Sequence, residues 1–539
     1  MNINKIIQSR FDKTEFTVFE TAEKPVLCDG RLFVPPACLE NLAEEAFTRV
    51  SFYYRRTHLE LLNAAYGMAD TGANEKLVIR DLIDNALTAA EGRLPLCQDT
   101  GTACVYAWKD EGVITAADDG AFLESGIGAA YRKRRFRASQ LVPVAFFDER
   151  NTGNNLPAQL HIEAGPPPPD SRPSYRFLFV AKGGGSSNKT SYFPLTPALL
   201  SHDEFDRFLC QKIEGLGTAA CPPYRLAVVV GGSSPEHNLE ILKLATTELL
   251  DGAPYLDTAG MTADGQSAAF PVYRDLFWEK RAVEIAEQSG LGAQVGGKRL
   301  LLDVRVLRLP RHAASCPVSI GVSCSAHRNM LAFIDERGVF LEKLEQNPKE
   351  FLYSKTQIEI HCSNKAAARR VRIDTPLSKA RDILAAYNAG DALLLSGKLL
   401  VARDAAHRKW RGLLQASNAS APLPDYLFMY PIFYAGPSET PPDCVIGSIG
   451  PTTSARMDAY AEELLSRGAS LVSIGKGNRS ALWMDAASKY GGIYLSAAGG
   501  AAALIASQNI VSVKIIDYPE LAMEAVRLIE VKDLALFVN

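Results

Sequence analysis

The amino-acid sequence lacks the features that mark membrane, nucleic-acid-binding and secreted proteins. It contains no run of about eighteen uninterrupted apolar residues, so a membrane is not an expected partner. Its formal charge is −3, without the basic excess that binding a phosphate backbone requires, so nucleic acid is not expected either. The opening residues, MNINKIIQSRFDKTEF, have no apolar stretch, which predicts a cytosolic protein without a signal peptide.

Close metal-ligand and nucleotide-binding patterns are also missing. No HExxH or paired CxxC motif occurs, so a structural zinc site has no support. The run KGGGSSNKT, Lys182–Thr190, lacks the second glycine of a phosphate-binding loop, and two prolines soon follow it, which excludes a P-loop. The ten cysteines are not densely spaced, so reduced thiols or metal ligands are expected rather than disulfides.

What remains is the pattern of a large globular protein. A chain of 539 residues exceeds the size of one hydrophobic core, which predicts two or more domains. A helical period runs from about Glu40 to Asn85, and strand-like runs that end in glycine follow it. Beyond Ile373, apolar runs alternate with helical stretches. We predict an α/β (α+β) fold with a helical and mixed-sheet N-terminal domain over residues 1–345, a linker over 346–372 and a smaller α/β layered C-terminal domain over 373–539.

Several polar turns are candidates for a functional site. In LCQDTGT, a thiol, an amide and a carboxylate stand on consecutive residues, Cys97, Gln98 and Asp99, an arrangement typical of a cleft but also of a capped surface turn. The glycines that follow Lys182 could form an anion-holding nest or a simple hairpin. His312 stands just ahead of a cysteine, where a structural and a catalytic role are both open.

The segment GPTTSARMD predicts a helix that begins after Pro451 and ends near Gly468. Arg456 falls in or next to its first turn, where a cation opposes the helix dipole. It is therefore either a solvated side chain or a ligand for a carboxylate. Lys476 stands between two glycines at the end of an apolar run, in a loop suited to anions.

Seven motifs occur along the chain in a specific order: LCQDTGT, NTGNNLPAQ, KGGGSSNK, GVSCSAHRN, LLLSGKLLVARDAAH, GPTTSARMD and KGNRS. Together they resemble the class I, iron–sulfur fumarate hydratases from about Tyr53 to the C-terminus. Each motif alone is a weak signal, whereas chance agreement at all of them is not a serious alternative. The resemblance implies a hydro-lyase that adds water to fumarate and removes it from (S)-malate.

The resemblance also implies a [4Fe–4S] cluster held by Cys97, Cys221 and Cys324. These cysteines are more than a hundred residues apart, so spacing alone would not select them from the ten. Three protein ligands leave one iron open to act as a Lewis acid on the substrate hydroxyl. The other cysteines are expected to have structural roles.

Substrate-holding groups are implied on both domains, with the C-terminal domain closing over a dicarboxylate, fumarate or (S)-malate. Several cations and N–H groups suit a ligand with two carboxylates. We expect Thr452 to be the base that removes the C3 proton, and Asp99 with His312 to relay a proton to the leaving hydroxyl. The implied binding groups are Gln98, Asp99, Gly183, Gly184, Gly185 and His312 from the first domain, and Arg403, Thr452, Arg456 and Lys476 from the second.

A homodimer with composite active sites is a further implication, in which Arg137 binds substrate in the neighbouring subunit's site. The stretch YRKRRFRAS is more basic than the family's, so Arg134 and Arg135 compete with Arg137 for this role. In GVSCSAHRN, His327 stands where the family usually has an aspartate, which alters the charge near the cluster.

Two other functions stay open from the sequence. A related iron–sulfur hydro-lyase could act on tartrate or a methyl-substituted malate, although that family tends to place its two halves on separate subunits. The fused chain therefore favours fumarate. A cluster-based sensor without turnover would have no use for Thr452, Arg456 and Lys476.

Cys316 and Cys324 lie eight residues apart, and replacing each tests which one is a cluster ligand. Cys324→Ser should deplete the protein of iron and nearly abolish turnover, because a thiolate ligand is lost. Cys316→Ser should keep both and lose only modest stability. Iron content and fumarate hydration of anaerobically purified protein are the readouts. Loss of iron in Cys316→Ser with retention in Cys324→Ser would reverse the assignment.

Overall fold

A mixed sheet of six strands forms the centre of the first half of the chain. The computed structural model describes residues 3–168, 171–255, 272–349, 368–373, 376–416 and 422–539. The strands are β1 (Phe16–Phe19), β4 (Thr102–Asp110), β8 (Gln159–Gly165), β9 (Tyr175–Lys182), β15 (Asn329–Asp335) and β16 (Gly338–Glu342). Their order across the sheet is β1-β16-β15-β9-β4-β8. Almost every residue of β4 and β9 is buried, because both faces of the sheet are covered.

A second sheet of five strands packs beside the first. Its strands are β10 (Ser191–Leu195), β11 (Tyr224–Gly232), β12 (Tyr273–Arg274), β13 (Leu301–Arg311) and β14 (Cys316–Ser323). Their order is β10-β14-β11-β13-β12. A three-stranded sheet of β2 (Val26–Cys28), β3 (Arg31–Val34) and β5 (Val113–Thr115) and a hairpin of β6 (Leu141–Ala145) and β7 (Asp148–Asn151) complete the strands of this half.

Helices cover both sheets, and the helical opening predicted from Glu40 to Asn85 is confirmed. The helices are α1 (Ile3–Asp12), α2 (Pro36–Phe52), α3 (Arg56–Gly67), α4 (Ala73–Ala89), α5 (Asp119–Lys133), α6 (Gly184–Ser187), α7 (His202–Glu214), α8 (Pro235–Ala245) and α9 (Leu276–Gln288), with a 3-10 turn at Pro197–Leu199. Helices α2 and α5 pack on the outer face of the first sheet, and α7 and α9 on the outer face of the second. Helix α8 lies in the core that the two sheets share.

The C-terminal part is a sheet that closes on itself. Its strands are β17 (Arg369–Ile373), β18 (Ala392–Val401), β19 (Ile432–Phe433), β20 (Val472–Gly475), β21 (Ile493–Ala497), β22 (Ile510–Asp517) and β23 (Val526–Val538). Strands β18, β19, β20 and β21 run parallel. Strand β23 pairs antiparallel with both β21 and β18, which closes the ring.

Short helices connect the strands of this ring, so the predicted mixed α/β class is confirmed. They are α10 (Leu377–Leu384), α11 (Asp404–Ala416), α12 (Tyr426–Met429), α13 (Ala461–Leu465), α14 (Ala481–Tyr490) and α15 (Ala502–Leu504), with 3-10 turns at Ser454–Tyr460 and Pro519–Glu524 and a π turn at Ile505–Asn509. Within the residues that the structure describes, no helix is both long enough and apolar enough to cross a bilayer.

The predicted domain limits stay a prediction. Strand β17 begins at Arg369, inside the predicted linker, and residues 350–367 of that linker lie outside the described residues. Helices α3 and α4 precede the linker in sequence, yet Leu62, Ile79 and Leu82 share one apolar core with the C-terminal sheet. The core of the C-terminal part is therefore built from both halves of the chain.

Asn85 joins the two halves through its side chain. This fully buried residue of α4 donates from Nδ2 to the carbonyl of Leu96 at 2.9 Å. Its Oδ1 accepts from the backbone N–H groups of Ala503 and Leu504 at 2.8 and 3.1 Å. The amide thereby caps α15, whose first N–H groups would otherwise have no partner.

Replacing Asn85 with alanine should destabilise the whole protein. Each buried backbone group left without a partner costs about 1–3 kcal/mol, so the urea midpoint of unfolding should fall clearly. Asn74→Ala is the matched control, since Asn74 is a more exposed asparagine of the same helix with one hydrogen bond, to the carbonyl of Gly390. Equal midpoints for the two variants would contradict the role of Asn85 as a joint between the halves.

Candidate functional site

The structure brings Cys97, Cys221 and Cys324 to the junction between the two sheets. Cys221 precedes β11 and Cys324 follows β14, and these antiparallel strands pair Arg225 with Ser323. The start of one strand therefore lies beside the end of the other. The backbone N–H of Ser325 donates to the carbonyl of Cys221 at 3.0 Å, which fixes the two segments together.

Cys97 reaches the same place from the first sheet. The five residues 324–328 form the loop that leaves β14 of the second sheet and enters β15 of the first. Strand β15 pairs Asn329 with Val180 of β9, and β9 pairs Lys182 with Thr102 at the start of β4. Cys97 lies just ahead of that start. All three predicted thiols therefore converge, although the sequence separates them widely.

Burial and mutual charge set the protonation of the thiols. Burial raises the pKa of Cys221 to about 11, with Lys476 opposing this rise and the thiolates of Cys324 and Cys97 adding to it. Burial likewise raises the pKa of Cys97, against the effect of Arg328. Without a metal, the thiols of Cys221 and Cys97 are therefore protonated at neutral pH, and a metal would have to displace their protons.

Two glycines pack directly against Cys221 and the neighbouring Ser325. A Cβ on Gly499 would lie 2.3 Å from Cys221 Sγ, and one on Gly500 would lie 2.5 Å from Ser325 Oγ. Cys221 itself has a φ of 62°, a left-handed backbone that a residue with a side chain adopts rarely and mostly at functional sites. The fold thus accepts strain to hold this thiol in one orientation.

The donor set fits a multi-iron group better than a single ion. Within the described ranges, no three His, Cys, Asp or Glu side chains converge as ligands of one metal ion. Cysteine thiolates are the ligands that iron–sulfur clusters use. The region between the three thiols also holds a buried cation. That cation is Arg328, whose Nε and Nη1 are buried without a hydrogen-bond partner in the described structure.

Asp99 is held as a carboxylate on the edge of this region. Its Oδ2 accepts from the N–H of Gly184 at 2.9 Å, and its Oδ1 lies 3.3 Å from Nη2 of Arg137. Burial would raise the pKa of Asp99, but Arg137, Arg328, the Gly184 N–H and Lys476 together lower it. Asp99 is therefore ionised at neutral pH, a good hydrogen-bond acceptor and a poor proton donor.

The predicted residues of the C-terminal half lie at the carboxyl ends of its parallel strands. Arg403 follows β18 and Lys476 follows β20, and Thr453 forms a bridge with Lys476. Ligand sites in parallel sheets lie at this edge. The predicted helix after Pro451 is present, but it opens with the 3-10 turn Ser454–Tyr460 before α13. Arg456 lies in that first turn, as expected.

Acidic partners orient the two arginines. Arg456 donates to both carboxylate oxygens of Asp404, at 2.9 and 2.6 Å, and its Nη1 donates to Thr452 Oγ1 at 3.2 Å. Nη2 of the buried Arg403 lies 3.1 Å from Glu524. Asp404 and Glu524 were missed from the sequence. Asp404 could have been found, because it directly follows Arg403 in the motif LLLSGKLLVARDAAH.

Two contacts show that the residues of both halves form one site. Lys476 Nζ donates to Cys221 Sγ at 2.7 Å. Gln98 packs against Gly450 so closely that a Cβ there would lie 2.7 Å from its Oε1. A cavity of about 1180 Å³ leads to this region, with Arg137, Ser438 and Glu524 in its wall. A small anionic ligand can therefore approach between the halves.

The expectation that Arg137 reaches a neighbouring subunit is wrong. Its guanidinium lies beside Asp99 of its own chain, because Thr100 donates to the carbonyl of Arg137 at 2.8 Å and holds the two segments together. Neither competitor pairs with Asp99 in the described structure: Arg134 is exposed at the end of α5, and Arg135 lines the cavity but donates to the carbonyl of Thr440 at 2.9 Å.

His312 does not lie with the other predicted residues of the same chain. It occupies an exposed turn between β13 and β14, and its described hydrogen bonds stay within residues 311–315. Cys324 lies at the opposite end of β14, whose eight residues span about 25 Å. His312 therefore does not lie beside Asp99 within one chain, and its role in the proton relay stays a prediction.

His327 belongs to a buried charge network behind the thiols. Its Nε2 lies 3.4 Å from Glu248, which also contacts Arg225 at 3.0 Å, and its Nδ1 shares a hydrogen bond with Ser323. Burial lowers the pKa of His327 to about 3, so the ring is neutral at neutral pH. A neutral ring thus stands where an aspartate was expected.

Fold and site together define a two-part α/β protein in which convergent thiols meet an anion-binding set of cations. The family model for fumarate hydratase (Fumerase) matches residues 40–332, and the model for the fumarase C-terminus matches residues 338–539. The chain belongs to the class I fumarate hydratase family.

Individual relatives agree with this membership. Fumarate hydratase 2 of Leishmania major is 43% identical over 531 residues, which covers 98% of this chain and 90% of that protein. The anaerobic class I fumarate hydratase of Escherichia coli (strain K12) is 42% identical over 507 residues, 94% of this chain and 89% of that protein. A putative L(+)-tartrate dehydratase subunit beta of Methanocaldococcus jannaschii is 38% identical over 130 residues, 24% of this chain and 63% of that protein.

Proposed function

We propose that this protein is a fumarate hydratase, which reversibly adds water to fumarate to form (S)-malate. The observation that carries the proposal is the meeting of three thiols from the first half with cations from the second, joined by the contact between Lys476 and Cys221. Similarity to fumarate hydratases of two organisms over nearly the whole chain supports the same activity.

Cys97, Cys221 and Cys324 would hold a [4Fe–4S] cluster. When bound, it would supply an open Lewis-acidic iron that polarises the hydroxyl of malate or the attacking water. Gly499 lets the backbone approach the Cys221 thiol closely, and Lys476 and Arg328 supply positive charge beside the thiolates.

The cations around the cavity would hold the two carboxylates of the substrate. Arg403 and Arg456 are each fixed by an acidic partner, and the N–H groups that remain free of that partner can bind a carboxylate in a set orientation. Arg137 faces the site from the other half, and burial lowers its pKa although Asp99 acts in the opposite direction. Gln98 would add an amide from the same turn as Cys97.

Thr452 and Asp99 would handle the protons. In hydration, ionised Asp99 accepts the proton that leaves the water, while the hydroxyl of Thr452 supplies a proton to the neighbouring alkene carbon. In dehydration the same protons move back, with Thr452 as the base at C3. An unassisted threonine is a poor base, and the hydrogen bond from Arg456 would stabilise its deprotonated oxygen.

A homodimer would explain His312. The resemblance gives this histidine a role at the substrate, whereas its own chain holds it about 25 Å from the thiols at the far end of β14. An exposed turn is suited to reach into another subunit. We therefore assign the composite site to His312 of a second copy, in place of Arg137, with His312 carrying the proton to and from Asp99.

A tartrate or methylmalate hydro-lyase is less well supported. The similarity to a tartrate dehydratase subunit covers only about a quarter of this chain, against nearly all of it for the fumarate hydratases. A malate–fumarate absorbance assay on anaerobically reconstituted protein tests the proposal. Turnover of tartrate alone would favour the rival hydro-lyase, and a complete cluster without any turnover would favour a sensor.

Arg403→Ala and Lys476→Ala should each lower kcat/KM while the fold is retained. Each removes a partner of a substrate carboxylate in a closed cleft, at a cost of about 2–5 kcal/mol in kcat/KM. Arg467→Ala is the control, because Arg467 is an exposed arginine of the same half whose side chain, among the described residues, donates to the carbonyl of Glu463 and to no carboxylate. Near-normal efficiency of both site variants would remove the C-terminal half from substrate binding.

Mixing two inactive variants tests the composite site. His312→Ala subunits combined with Lys476→Ala subunits should regain partial activity, because one of the two sites in a heterodimer has both residues intact. Arg137→Ala mixed with Lys476→Ala should show no such gain, since both residues then belong to the same chain's site. Recovery with Arg137→Ala and none with His312→Ala would reverse this assignment.

A further inference from the structure

Among the buried arginines, Arg328 differs from the rest. Eight arginines are less than a tenth exposed in the described part of the chain, and Arg328 is the most buried of them at 3%. The other seven each contact a carboxylate: Arg55, Arg80, Arg137, Arg176, Arg225, Arg299 and Arg403. Arg328 makes no ion pair within the described residues, and its Nε and Nη1 have no hydrogen-bond partner there.

A guanidinium stays charged in proteins, so an unpaired one in the interior is strongly unfavourable. The fold nevertheless fixes Arg328 in place. It is the last residue of the loop 324–328, and its carbonyl accepts from the N–H of Ala181 on β9 at 3.0 Å. The charged side chain is stable in this position only if an anion lies beside it.

Arg328 and Cys324 line the same small cavity, which places the guanidinium beside the thiols. Burial disfavours its charge, but thiolates at Cys97 and Cys324, and then Asp99, raise the pKa of Arg328 overall. Asp99 is already bound by Arg137 and by the N–H groups of Gly184 and Gly101. Cys97 and Cys324 have only long contacts by comparison: Cys97 donates to Oε1 of Gln98 at 3.6 Å, and Cys324 donates to the carbonyl of Ala326 at 3.8 Å.

We propose that Arg328 is the positioning residue of the cluster, donating from Nε and Nη1 to its sulfur atoms and balancing the charge of the Cys97 and Cys324 thiolates. This inference rests on the proposed function, because it needs the cluster that the three thiols would hold. Sulfur atoms of iron–sulfur clusters accept N–H hydrogen bonds, and such bonds with nearby positive charge raise the reduction potential. Arg328 thereby protects the cluster from oxidative loss and leaves substrate binding to Arg137 and the cations of the C-terminal half.

Arg328→Gln, Arg328→Lys and Arg176→Gln, compared with the wild type after anaerobic reconstitution, test the role. Iron per chain, the rate of iron loss to a chelator, the rate of bleaching in air and the reduction potential are measured without substrate. Arg328→Gln should lose iron about 10–100-fold faster, the usual effect of removing a partner of metal ligands, and should have a lower potential. Arg328→Lys, which keeps the charge but not the planar donors, should recover part of the loss.

Arg176→Gln controls for removing any buried arginine, since Arg176 lies on the same strand as Ala181 and binds Asp110. It should keep wild-type iron retention and potential. If Arg328→Gln fails to fold, Arg328→Lys decides alone, with an unchanged potential overturning the inference. Normal iron retention and potential in Arg328→Gln, with only a raised KM for malate, would make Arg328 a substrate ligand and overturn it too.

The outcome also separates this inference from the function proposed above. A wild-type protein that forms a stable cluster but does not hydrate fumarate removes the proposed function, and the comparison of the Arg328 variants still stands. A wild-type protein that takes up no iron at all overturns both the cluster and the role of Arg328.

Discussion

The site depends on one constraint, which is that three thiols from distant parts of the chain must meet in a single region. The antiparallel register of β11 and β14 brings two of the thiols together, because Cys221 lies just before one strand where Cys324 lies just after the other. The loop from β14 to β15 satisfies the rest by passing from the second sheet to the first. A shift of one residue in a strand would turn every side chain to the other face of the sheet. The pairing of the strands in these sheets therefore also fixes where the side chains of the site lie.

The charged groups of the two halves are arranged in a definite pattern around the thiols. Lys476 and Arg328 lie beside the thiols, Arg137 is matched by Asp99, and the arginines of the C-terminal half have carboxylates of their own. Within the part of the chain that the structure describes, Lys476 and Arg328 have no acidic partner. An anionic centre with an anionic substrate would complete this arrangement, which explains why so many positive groups can be kept in a closed cleft.

Much of this could be read from the sequence, for identifiable reasons. The helical opening, the α/β layering of the second half and the position of Arg456 follow from local periodicity and turn chemistry, which the sequence encodes directly. The convergence of Cys97, Cys221 and Cys324 came only from resemblance, because strand register is a long-range property. Arg137 was assigned to the wrong copy of the chain for the same reason, and the copy that supplies His312 could not be specified at all. Motif content shows that a residue is present at a site, but not which copy of the chain supplies it. Arg328 was overlooked because the sequence does not show whether an arginine in a motif has a carboxylate as its partner.

The core shared by α3, α4 and the C-terminal sheet has a consequence for chain continuity. Helices from the early sequence fill the interior of the late sheet, and Asn85 caps α15 across more than four hundred residues. This shared core is therefore enough to hold the two parts together. A gene fission between β16 and β17 would leave two polypeptides joined by a buried apolar interface. A single fused chain and two separate chains would then have the same architecture and differ only in the arrangement of their genes.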